Sequence, residues 1–205
     1  MNLLDPKVQS KDLVGRTIAA LDKLSDGMKF QLLQQQKQSG LTPLQIKIIL
    51  FVASHEPSLN TVSQLVKELL VTKATISDSI KSLEKKGLVR KQLDYKDNRS
   101  FSIQLTEKGK KICEELGDYI SPFQKSLVQI EQDDLARLYN NLFGILKNLD
   151  DKGAINLNRS CNSCKNYRTD GINHAFCMEL RMQIKPFERR MDCTVYKEQK
   201  TKVIL

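Results

Sequence analysis

Four cysteines lie close together in the last quarter of the chain, and their spacing suits metal binding. They are Cys161, Cys164, Cys177 and Cys193, which form the pattern C-x2-C-x12-C-x15-C. A C-x2-C pair lets two thiolates bind one ion, and two further thiolates complete a tetrahedral shell. We therefore predict that these four residues ligate one metal centre, although the two longer spacings are not those of a common zinc finger.

Two occupants fit such a centre. Zinc would be structural, because the segment 154–205 has few large apolar side chains and would need the free energy of metal binding to fold. A [4Fe-4S] cluster needs the same four thiolates and would make the segment a redox or oxygen sensor. Zinc is preferred, and the alternatives are the cluster and free or disulfide-linked thiols. His174 is a substitute candidate for one thiolate, and the core expected to shield the site consists of Tyr167, Phe176, Phe187 and Tyr196.

A second group of polar and basic side chains lies between residues 72 and 91. Ile76, Ile80 and Leu83 recur at helical spacing, so the residues between them form the opposite face of one helix. Small polar side chains at a helix N-terminus suit the base edges of a DNA major groove, and lysines suit phosphates. The residues on this face are Lys73, Ala74, Thr75, Ser77 and Asp78 at its start, followed by Lys81 and, beyond the helix, Lys91.

The elements that must position these residues are mostly helical. Apolar residues spaced by three and four from Val14 to Leu32 predict a long first helix, and Thr42, Pro43 and Gln45 predict the capped start of a second. Two shorter helices are predicted from Val62 to Leu69, capped by Asn60 or Thr61, and from Thr72 to Gly87. A last helix carries Leu135, Leu138, Leu142, Leu146 and Leu149 and ends at Gly153.

The pattern changes from helix to strand after Gly87. In SFSIQLT, Phe101, Ile103 and Leu105 alternate with polar residues, as a half-buried strand requires, and LVRKQL precedes it. With the polar loop DYKDN between them, residues 88–105 are predicted to form a hairpin. Arg99 lies at its tip, where it suits a narrow minor groove. The next helix begins after Thr106 and is predicted to kink near Ser121-Pro122, because proline removes a backbone donor.

Composition favours a polyanionic partner and disfavours several other classes of protein. The net charge is +9, and the positive excess is concentrated in residues 41–109 and 151–205. No apolar run is long enough to span a membrane, and no secretory signal is recognisable, so we expect a cytoplasmic protein without structural disulfides. With two histidines and no phosphate-binding loop or nucleophile elbow, an enzyme is not expected.

The middle of the chain resembles the multiple-antibiotic-resistance regulator (MarR) family of bacterial transcription repressors. The motifs that carry the resemblance are SLEKKGLVRK at 82–91, DNRS at 97–100 and QLTEKGKK at 104–111. With the flanking helices, the likeness extends over residues 10–150. It implies a homodimer that binds double-stranded DNA at a pseudo-palindromic operator and is released by a small-molecule effector or a redox signal. It also implies that Arg99 contacts DNA and that Asp97 orients it.

One residue departs from the family pattern. Asp78 occupies a position that is often basic or neutral in the family, and a carboxylate there would be repelled by phosphate. It can instead accept a hydrogen bond from a cytosine amino group or pair with Lys81. Other residues have two interpretations: Asp97 and Arg99 as an ion pair within the hairpin, His55 as a surface or a pocket residue, and Cys113 as a core residue or a peroxide sensor.

The predicted fold is therefore mostly α with a small β-hairpin wing, a winged helix-turn-helix dimerised by its N- and C-terminal helices. We predict a dimerisation helix in 1–40, the DNA-binding domain in 41–110, further dimerisation helices in 111–153 and a metal-binding extension in 154–205. The predicted function is a DNA-binding transcription regulator, in particular a repressor, with structural zinc. The alternative is an iron-sulfur redox sensor or redox protein that uses the four tail cysteines.

Overall fold

The computed structural model describes residues 5–9, 11–93, 101–170 and 174–198. The chain divides into two compact units. The first consists of Met1–Val62 and Thr72–Gln124, and the second of Ser63–Val71 and Lys125–Leu205. The four-part division predicted from the sequence concerns function and stays a prediction.

The first unit begins with two helices, α1 (Pro6–Gln9) and α2 (Leu13–Ser39). The Asp12 carboxylate caps α2 by accepting a hydrogen bond from the Gly15 N–H at 2.6 Å. At the other end, Gly40 adopts a left-handed φ of 66° and its N–H donates to the Gln36 carbonyl. The long first helix is thereby confirmed, and it extends further than the apolar pattern indicated.

Helix α3 (Pro43–Ser54) has the predicted capping box. The Gln45 N–H donates to Thr42 Oγ1 at 3.3 Å, and Gln45 Oε1 accepts from the Thr42 N–H at 3.1 Å. The Gln45 side-chain amide also donates to Ser82 Oγ at 3.0 Å, which ties α3 to the helix predicted from Thr72 to Gly87. At the other end, the buried Asn60 amide donates to the Val52 and His55 carbonyls. Asn60 therefore supplies hydrogen-bond donors to carbonyls at the C-terminal end of α3.

The winged part follows the predicted order. Helix α5 (Lys73–Lys85) leads into strands β1 (Val89–Leu93) and β2 (Phe101–Leu105), which pair antiparallel with Val89 opposite Leu105. The Ile103 N–H donates to the Asn60 carbonyl at 2.7 Å and so anchors the wing. The core of this unit is aliphatic. Its buried members include Leu41, Ile46, Ile48, Ile49, Ile76, Ile80, Leu83, Leu88, Val89, Ile103 and Leu116.

The region after the wing has a break that differs slightly from the predicted one. Helix α6 (Glu107–Leu116) is followed by a 3-10 turn at Gly117–Ile120 and then by α7 (Ser121–Leu127). The interruption therefore precedes Pro122, which occupies the first turn of α7. This position tolerates proline, because its missing N–H would have no intrahelical partner there.

The second unit contains helix α4 (Val62–Leu69), whose last seven residues belong to it, and helix α8 (Gln132–Asp151). Beyond α8 lies a small sheet in the order β3 (Tyr167–Thr169), β4 (Ala175–Cys177) and β5 (Met182–Gln183), with antiparallel pairs. Short 3-10 turns at Cys161–Ser163 and Pro186–Glu188 flank it. The predicted last helix, ending before Gly153, is confirmed.

The predicted aromatic core of the extension is wrong in part. Phe176 and Phe187 are 37% and 44% exposed, whereas Tyr167 and Tyr196 are half-buried. Phe143 of α8 is buried instead, and the Arg189 guanidinium lies 4.2 Å from its ring centroid. The Tyr139 hydroxyl donates to the Arg189 carbonyl. The extension is thus packed on α8 through a tyrosine, a phenylalanine and an arginine.

Two helices expose rows of apolar side chains. On α2, Leu13, Val14, Leu24 and Met28 are all exposed, and on α8 so are Leu138, Ile145 and Leu149. Exposed rows of this kind are a mark of protein association, although single exposed apolar residues are normal. Among the described residues, no helix has the length and apolarity that crossing a membrane requires.

Candidate nucleic-acid interface and thiol cluster

Helix α5 has one buried and one polar face. Ile76, Ile80 and Leu83 are at most 1% exposed and fix the helix in the first unit. On the other side Lys73, Ala74, Thr75, Asp78 and Lys81 are exposed and Ser77 is half-buried. The sequence-predicted contact residues of α5 therefore share the face that is turned away from the core.

The N-terminus of α5 has a side-chain cap. Thr72 Oγ1 accepts a hydrogen bond from the Thr75 N–H at 3.2 Å, and the hydroxyls of Thr72 and Thr75 are 2.8 Å apart. The cap satisfies one of the first four N–H groups, while the helix dipole leaves a partial positive charge at this end. Polar hydroxyls and a positive helix end are suited to a DNA backbone and its base edges.

Asp78 forms an ion pair with Lys81, which is one of the two roles predicted for it. Its carboxylate lies 3.3 Å from Lys81 Nζ in an i,i+3 ion pair, with both side chains well exposed. Such exposed pairs contribute little to stability, but they offset the local negative charge. The polar face of α5 consequently has no unbalanced carboxylate.

The basic residues of the wing differ in how they are held. On β1, Lys91 Nζ lies 2.8 Å from Glu84 Oε2 of α5 and 5.4 Å from the centroid of the Phe101 ring. Lys91 therefore braces the wing against α5, and its predicted phosphate contact would compete with Glu84. Asp97 and Arg99, the predicted tip residues, lie outside the described residues.

A pocket of about 700 Å³ opens in the first unit beside the wing. It is formed by the end of α3, both strands and the start of α6, and its lining includes His55, Asn60, Arg90, Gln104, Lys110 and Cys113. His55 is half-buried and stacks on Phe51 with ring centroids 3.9 Å apart. Burial, followed by the charge of Glu114, raises the pKa of the Cys113 thiol. A raised pKa disfavours the reactive thiolate that a peroxide sensor needs.

The four tail cysteines are placed in one small fold. Cys161 and Cys164 flank a 3-10 turn, Cys177 ends β4, and Cys193 follows the Pro186–Glu188 turn. Cys161, Cys164 and Cys193 are buried, Cys177 is half-buried, and these four described cysteines are not joined by disulfides. His174 is turned away from them into an exposed pair with Asp170 at 2.8 Å, which makes it a poor replacement for a thiolate.

The thiols are electrostatic neighbours. Burial raises the pKa of Cys161, a hydrogen bond from the Arg190 N–H at 3.2 Å opposes that rise, and the charges of Cys193, Cys164 and Cys177 add to it. Nevertheless, within the described part of the chain, no group of three or more histidine, cysteine, aspartate or glutamate side chains is arranged closely enough to hold a metal ion. The residue types suit a soft ion, but the described side chains are not arranged as a metal site.

Three charged residues that sequence reasoning missed lie beside the thiols. The Arg159 side chain is 5% exposed and lies between Glu68 of α4, at 3.7 Å, and Asp192, at 2.6 Å. Arg159 also has a left-handed φ of 54°. In the sequence, Arg159 lies two residues before Cys161 and Asp192 lies directly before Cys193. This proximity to the cysteines is the sequence signal from which their role could have been predicted.

Comparisons with known proteins identify the winged region. A family model for the MarR family matches residues 39–100. The crystal structure of Staphylococcus aureus MepR in its DNA-binding conformation is 26% identical, covers 63% of this chain and 96% of that one, and has a TM-score of 0.57. A MepR–DNA complex from the same organism has the same identity and coverage, with a TM-score of 0.56.

A further MepR structure, described as a transcription regulator of the S. aureus multidrug efflux pump MepA, is 25% identical with the same coverage and a TM-score of 0.50. No curated protein sequence matches the chain. The structural matches confirm the predicted mostly helical, winged fold, and the family model supports the predicted resemblance over residues 39–100. The predicted contact residues and metal ligands stay predictions.

Proposed function

We propose that the protein is a homodimeric repressor that binds a pseudo-palindromic operator, because a MarR family model matches residues 39–100. A role as a DNA-binding transcription regulator agrees with the similarity to MepR, which has been crystallised with DNA. Repression, the dimer and the operator symmetry go beyond that similarity.

The proposal rests mainly on the exposed polar face of α5. Ile76 and Ile80 bury one side of the helix, so Lys73, Thr75 and Ser77 are presented to solvent together. A second helix of a helix-turn-helix lies in the major groove with its N-terminal residues against base edges. In this arrangement Thr75 and Ser77 contact bases, while Lys73, Lys81 and Lys91 contact phosphates.

Homodimerisation is supported by the exposed apolar rows. Helix α2 contributes Val14, Leu21 and Leu24, and α8 contributes Leu138 and Ile145, all exposed in the single chain. A twofold symmetric dimer would remove these rows from water and set two reading helices one helical turn of DNA apart. The pocket beside the wing is the proposed site of a small-molecule effector, because its lining combines Val52 with the polar groups of Arg90 and Lys110.

Zinc is the proposed occupant of the thiol cluster. Cys161, Cys164, Cys177 and Cys193 would hold it, and the Arg190 N–H donates to Cys161 Sγ at 3.2 Å, a hydrogen bond that would stabilise a metal-bound thiolate. A bound zinc supplies cross-linking free energy to a segment with a small apolar core. Metal analysis and an absorption spectrum of anaerobically purified protein test this proposal. A colourless protein with one zinc per chain supports it, whereas a brown protein supports an iron-sulfur sensor instead.

The DNA-reading role is tested by substitutions on α5. Duplexes selected by the full chain from a random-sequence pool serve as the probe, with a scrambled duplex as reference. Thr75→Ala removes a hydroxyl but keeps the capped N–H, so binding of the selected duplex should weaken by about 1–3 kcal/mol while binding of the scrambled duplex stays unchanged. Lys73→Ala should weaken both alike and lower the salt dependence by about one phosphate contact.

A matched control separates these effects from a general loss of positive charge. Lys47 is exposed on α3, and Lys47→Ala removes the same charge without touching α5. Its affinity and salt dependence should equal those of the wild-type chain. If Lys47→Ala and Lys73→Ala weaken binding equally, or if Thr75→Ala affects both duplexes, α5 is not the reading helix.

A further inference from the structure

The small sheet of the second unit has two unlike faces. Cross-strand partners in a sheet lie on the same face, and successive residues of one strand lie on opposite faces. Tyr167 is opposite Cys177, and the Ile184 N–H donates to the Ala175 carbonyl at 2.8 Å. These four residues are buried or half-buried, so theirs is the more buried face of the sheet.

The outer face carries a row of three side chains, which we call the outer row. Arg168 of β3, Phe176 of β4 and Gln183 of β5 are directly opposite one another in the strand register. All three are exposed, and Phe176 keeps 37% of its surface in contact with solvent. The Cβ atoms of directly opposite residues are about 5 Å apart. The ring therefore has a cation on one side and an amide on the other.

The cation of the outer row is held in place by its own strand. Arg168 Nη1 donates to the Lys165 carbonyl and, at 3.2 Å, to the Tyr167 carbonyl. A guanidinium has three further donors, on Nη2 and Nε, in a planar arrangement that suits phosphate. Because the side chain is already ordered, a contact with a ligand costs less conformational entropy. The outer row thus presents a positioned cation next to an exposed ring.

The position of Phe176 distinguishes it from other exposed apolar residues. Single exposed apolar side chains are common on protein surfaces and need no explanation. Phe176, however, lies on the middle strand, and its ring adds nothing to the more buried face. An aromatic side chain on a sheet, with polar and basic groups beside it, is the arrangement with which RNA-binding sheets stack an unpaired base.

The charge of the surrounding segment suits a polyanion. Residues 151–205 contain eleven lysines and arginines and six aspartates and glutamates, which gives a net charge of +5. Exposed lysines lie next to both edge strands, since Lys165 precedes β3 and Lys185 follows β5. An apolar protein partner would not need these cations. A nucleic acid supplies both a flat base for the ring and phosphates for the lysines.

We propose that the outer row binds single-stranded nucleic acid, a function separate from the reading of duplex DNA by α5. An unpaired base stacks on the Phe176 ring, the Arg168 guanidinium pairs with a neighbouring phosphate, and the Gln183 amide hydrogen-bonds the edge of the base. A duplex does not offer this contact, because its bases are stacked on one another. The base face and the phosphate are common to RNA and single-stranded DNA, so both bind.

A tryptophan in place of Phe176 reports this contact directly, because the chain contains no tryptophan of its own. The full chain with Phe176→Trp is titrated with oligodeoxythymidine and with oligouridine of about 12 nucleotides. Stacking should quench the tryptophan fluorescence in both titrations. The matched control is Phe187→Trp, since Phe187 is 44% exposed in the Pro186–Glu188 turn and lies outside the sheet. Its fluorescence should not change.

Removal of the ring tests whether stacking contributes affinity. Phe176→Leu keeps an apolar side chain and should weaken binding of labelled oligodeoxythymidine, measured by fluorescence anisotropy, by about tenfold or more. Phe187→Leu should bind as the wild-type chain does. Thermal unfolding followed by circular dichroism shows whether each variant is folded. Retained binding in Phe176→Trp would show that the aromatic ring, and not the phenylalanine itself, is required.

The phosphate contact is tested by salt dependence. Arg168→Gln should weaken binding of oligodeoxythymidine and lower the slope of log affinity against log salt concentration by about 0.7. Arg137→Gln removes the same charge from α8 of the same unit, where Arg137 pairs with Asp134 at 2.6 Å. This control should keep the slope of the wild-type chain.

Four results overturn the inference. They are the absence of quenching in Phe176→Trp with both oligonucleotides, equal losses in Phe176→Leu and Phe187→Leu, an equal loss of duplex and single-strand binding in Phe176→Leu, and a change of oligomeric state in Phe176→Leu with unchanged strand binding. The last would make the outer face an interface between copies of this chain. Thr75→Ala should leave oligodeoxythymidine binding unchanged, so failure of the duplex-reading role and failure of the outer row are distinguishable.

Discussion

The winged region and the cysteine-rich extension are stabilised by different kinds of interaction. The winged region buries aliphatic side chains such as Ile46, Ile76 and Ile103. Among the described residues of the extension beyond Ser160 (161–170 and 174–198), the buried ones are three cysteines and Ile184. A core of carbon side chains is stable through burial alone, whereas thiols stabilise strongly only when they bind an ion. The first region therefore has a core that folds by burial, and the proposed zinc would supply the second with stability that its few buried side chains do not.

The two compact units also differ in which residue types adopt left-handed backbone. In the first unit, the described residues with positive φ are Gly40 and Gly87, which accept it without a Cβ clash. In the second unit, Leu70, Arg159 and Arg181 have φ values between 52° and 54°. Each costs about 1–2 kcal/mol relative to right-handed backbone. The second unit therefore stores strain that the first avoids.

Zinc removal should separate the two regions by the widest margin. If coordination supplies about 10 kcal/mol or more to the extension, chelation should abolish amide protection in β3 and β4. Protection of Ile48 and Ile49 in α3 should not change, because their side chains are 0% exposed in an aliphatic core. Hydrogen exchange followed by mass spectrometry measures both. Equal loss in both regions would contradict separate modes of stabilisation.

Truncating the aliphatic core should be the next most severe change. Leu83 is fully buried, and Leu83→Ala should lower the free energy of unfolding by about 3 kcal/mol through lost burial and an unfilled cavity. Leu93 is 62% exposed on the wing, and Leu93→Ala should change the free energy of unfolding by less than about 0.5 kcal/mol. Urea unfolding followed by circular dichroism distinguishes them. Similar losses would mean that Leu83 is not a core residue.

Substitutions at positions with left-handed backbone should have opposite effects on stability in the two regions. Replacing Gly87 by alanine should destabilise the protein, whereas replacing Arg181 by glycine should stabilise it. Gly87→Ala meets no atom within 4 Å, so its cost is the strain of a φ of 70°, about 1 kcal/mol. Arg181→Gly, in the exposed turn before β5, should stabilise the zinc-loaded extension by up to about 1 kcal/mol. Thermal unfolding of each variant measures the shift. Destabilisation by both would show that Arg181 contributes contacts that outweigh its strain.

The exposed Asp78–Lys81 pair should matter least for folding. Asp78→Asn should alter the free energy of unfolding by less than about 0.5 kcal/mol, since both side chains are exposed. It should nevertheless strengthen binding to any duplex, because it removes a negative charge from the reading face. Fluorescence anisotropy at two salt concentrations measures this. Weaker binding confined to the selected duplex would instead mean that Asp78 accepts a hydrogen bond from a base.

Local signals predicted most of the winged region. The capping box of Thr42 and Gln45 depends on residues three apart, and the Ile76, Ile80 and Leu83 stripe depends on helical spacing, so both are readable from the sequence. The alternation in β2 predicted the wing for the same reason. These elements were confirmed because their stabilising partners are near in sequence.

Features of the extension that depend on distant residues were not predicted. Phe176 and Phe187 are exposed, and composition does not encode which aromatic side chains of the extension are buried. Pairing of Arg159 with Glu68 joins segments far apart in the chain and has no periodic signature. The cysteine spacing indicated which donors gather there, but not the residues that connect them to α4.

The reading role of α5 is best tested by one affinity ratio. Binding of the wild-type chain to its selected duplex and to a scrambled duplex should be compared at physiological salt. A sequence-specific regulator should prefer the selected duplex by about 10³-fold or more, and Thr75→Ala should lower that ratio. Equal affinities for the two duplexes, unchanged by Thr75→Ala, would contradict the account.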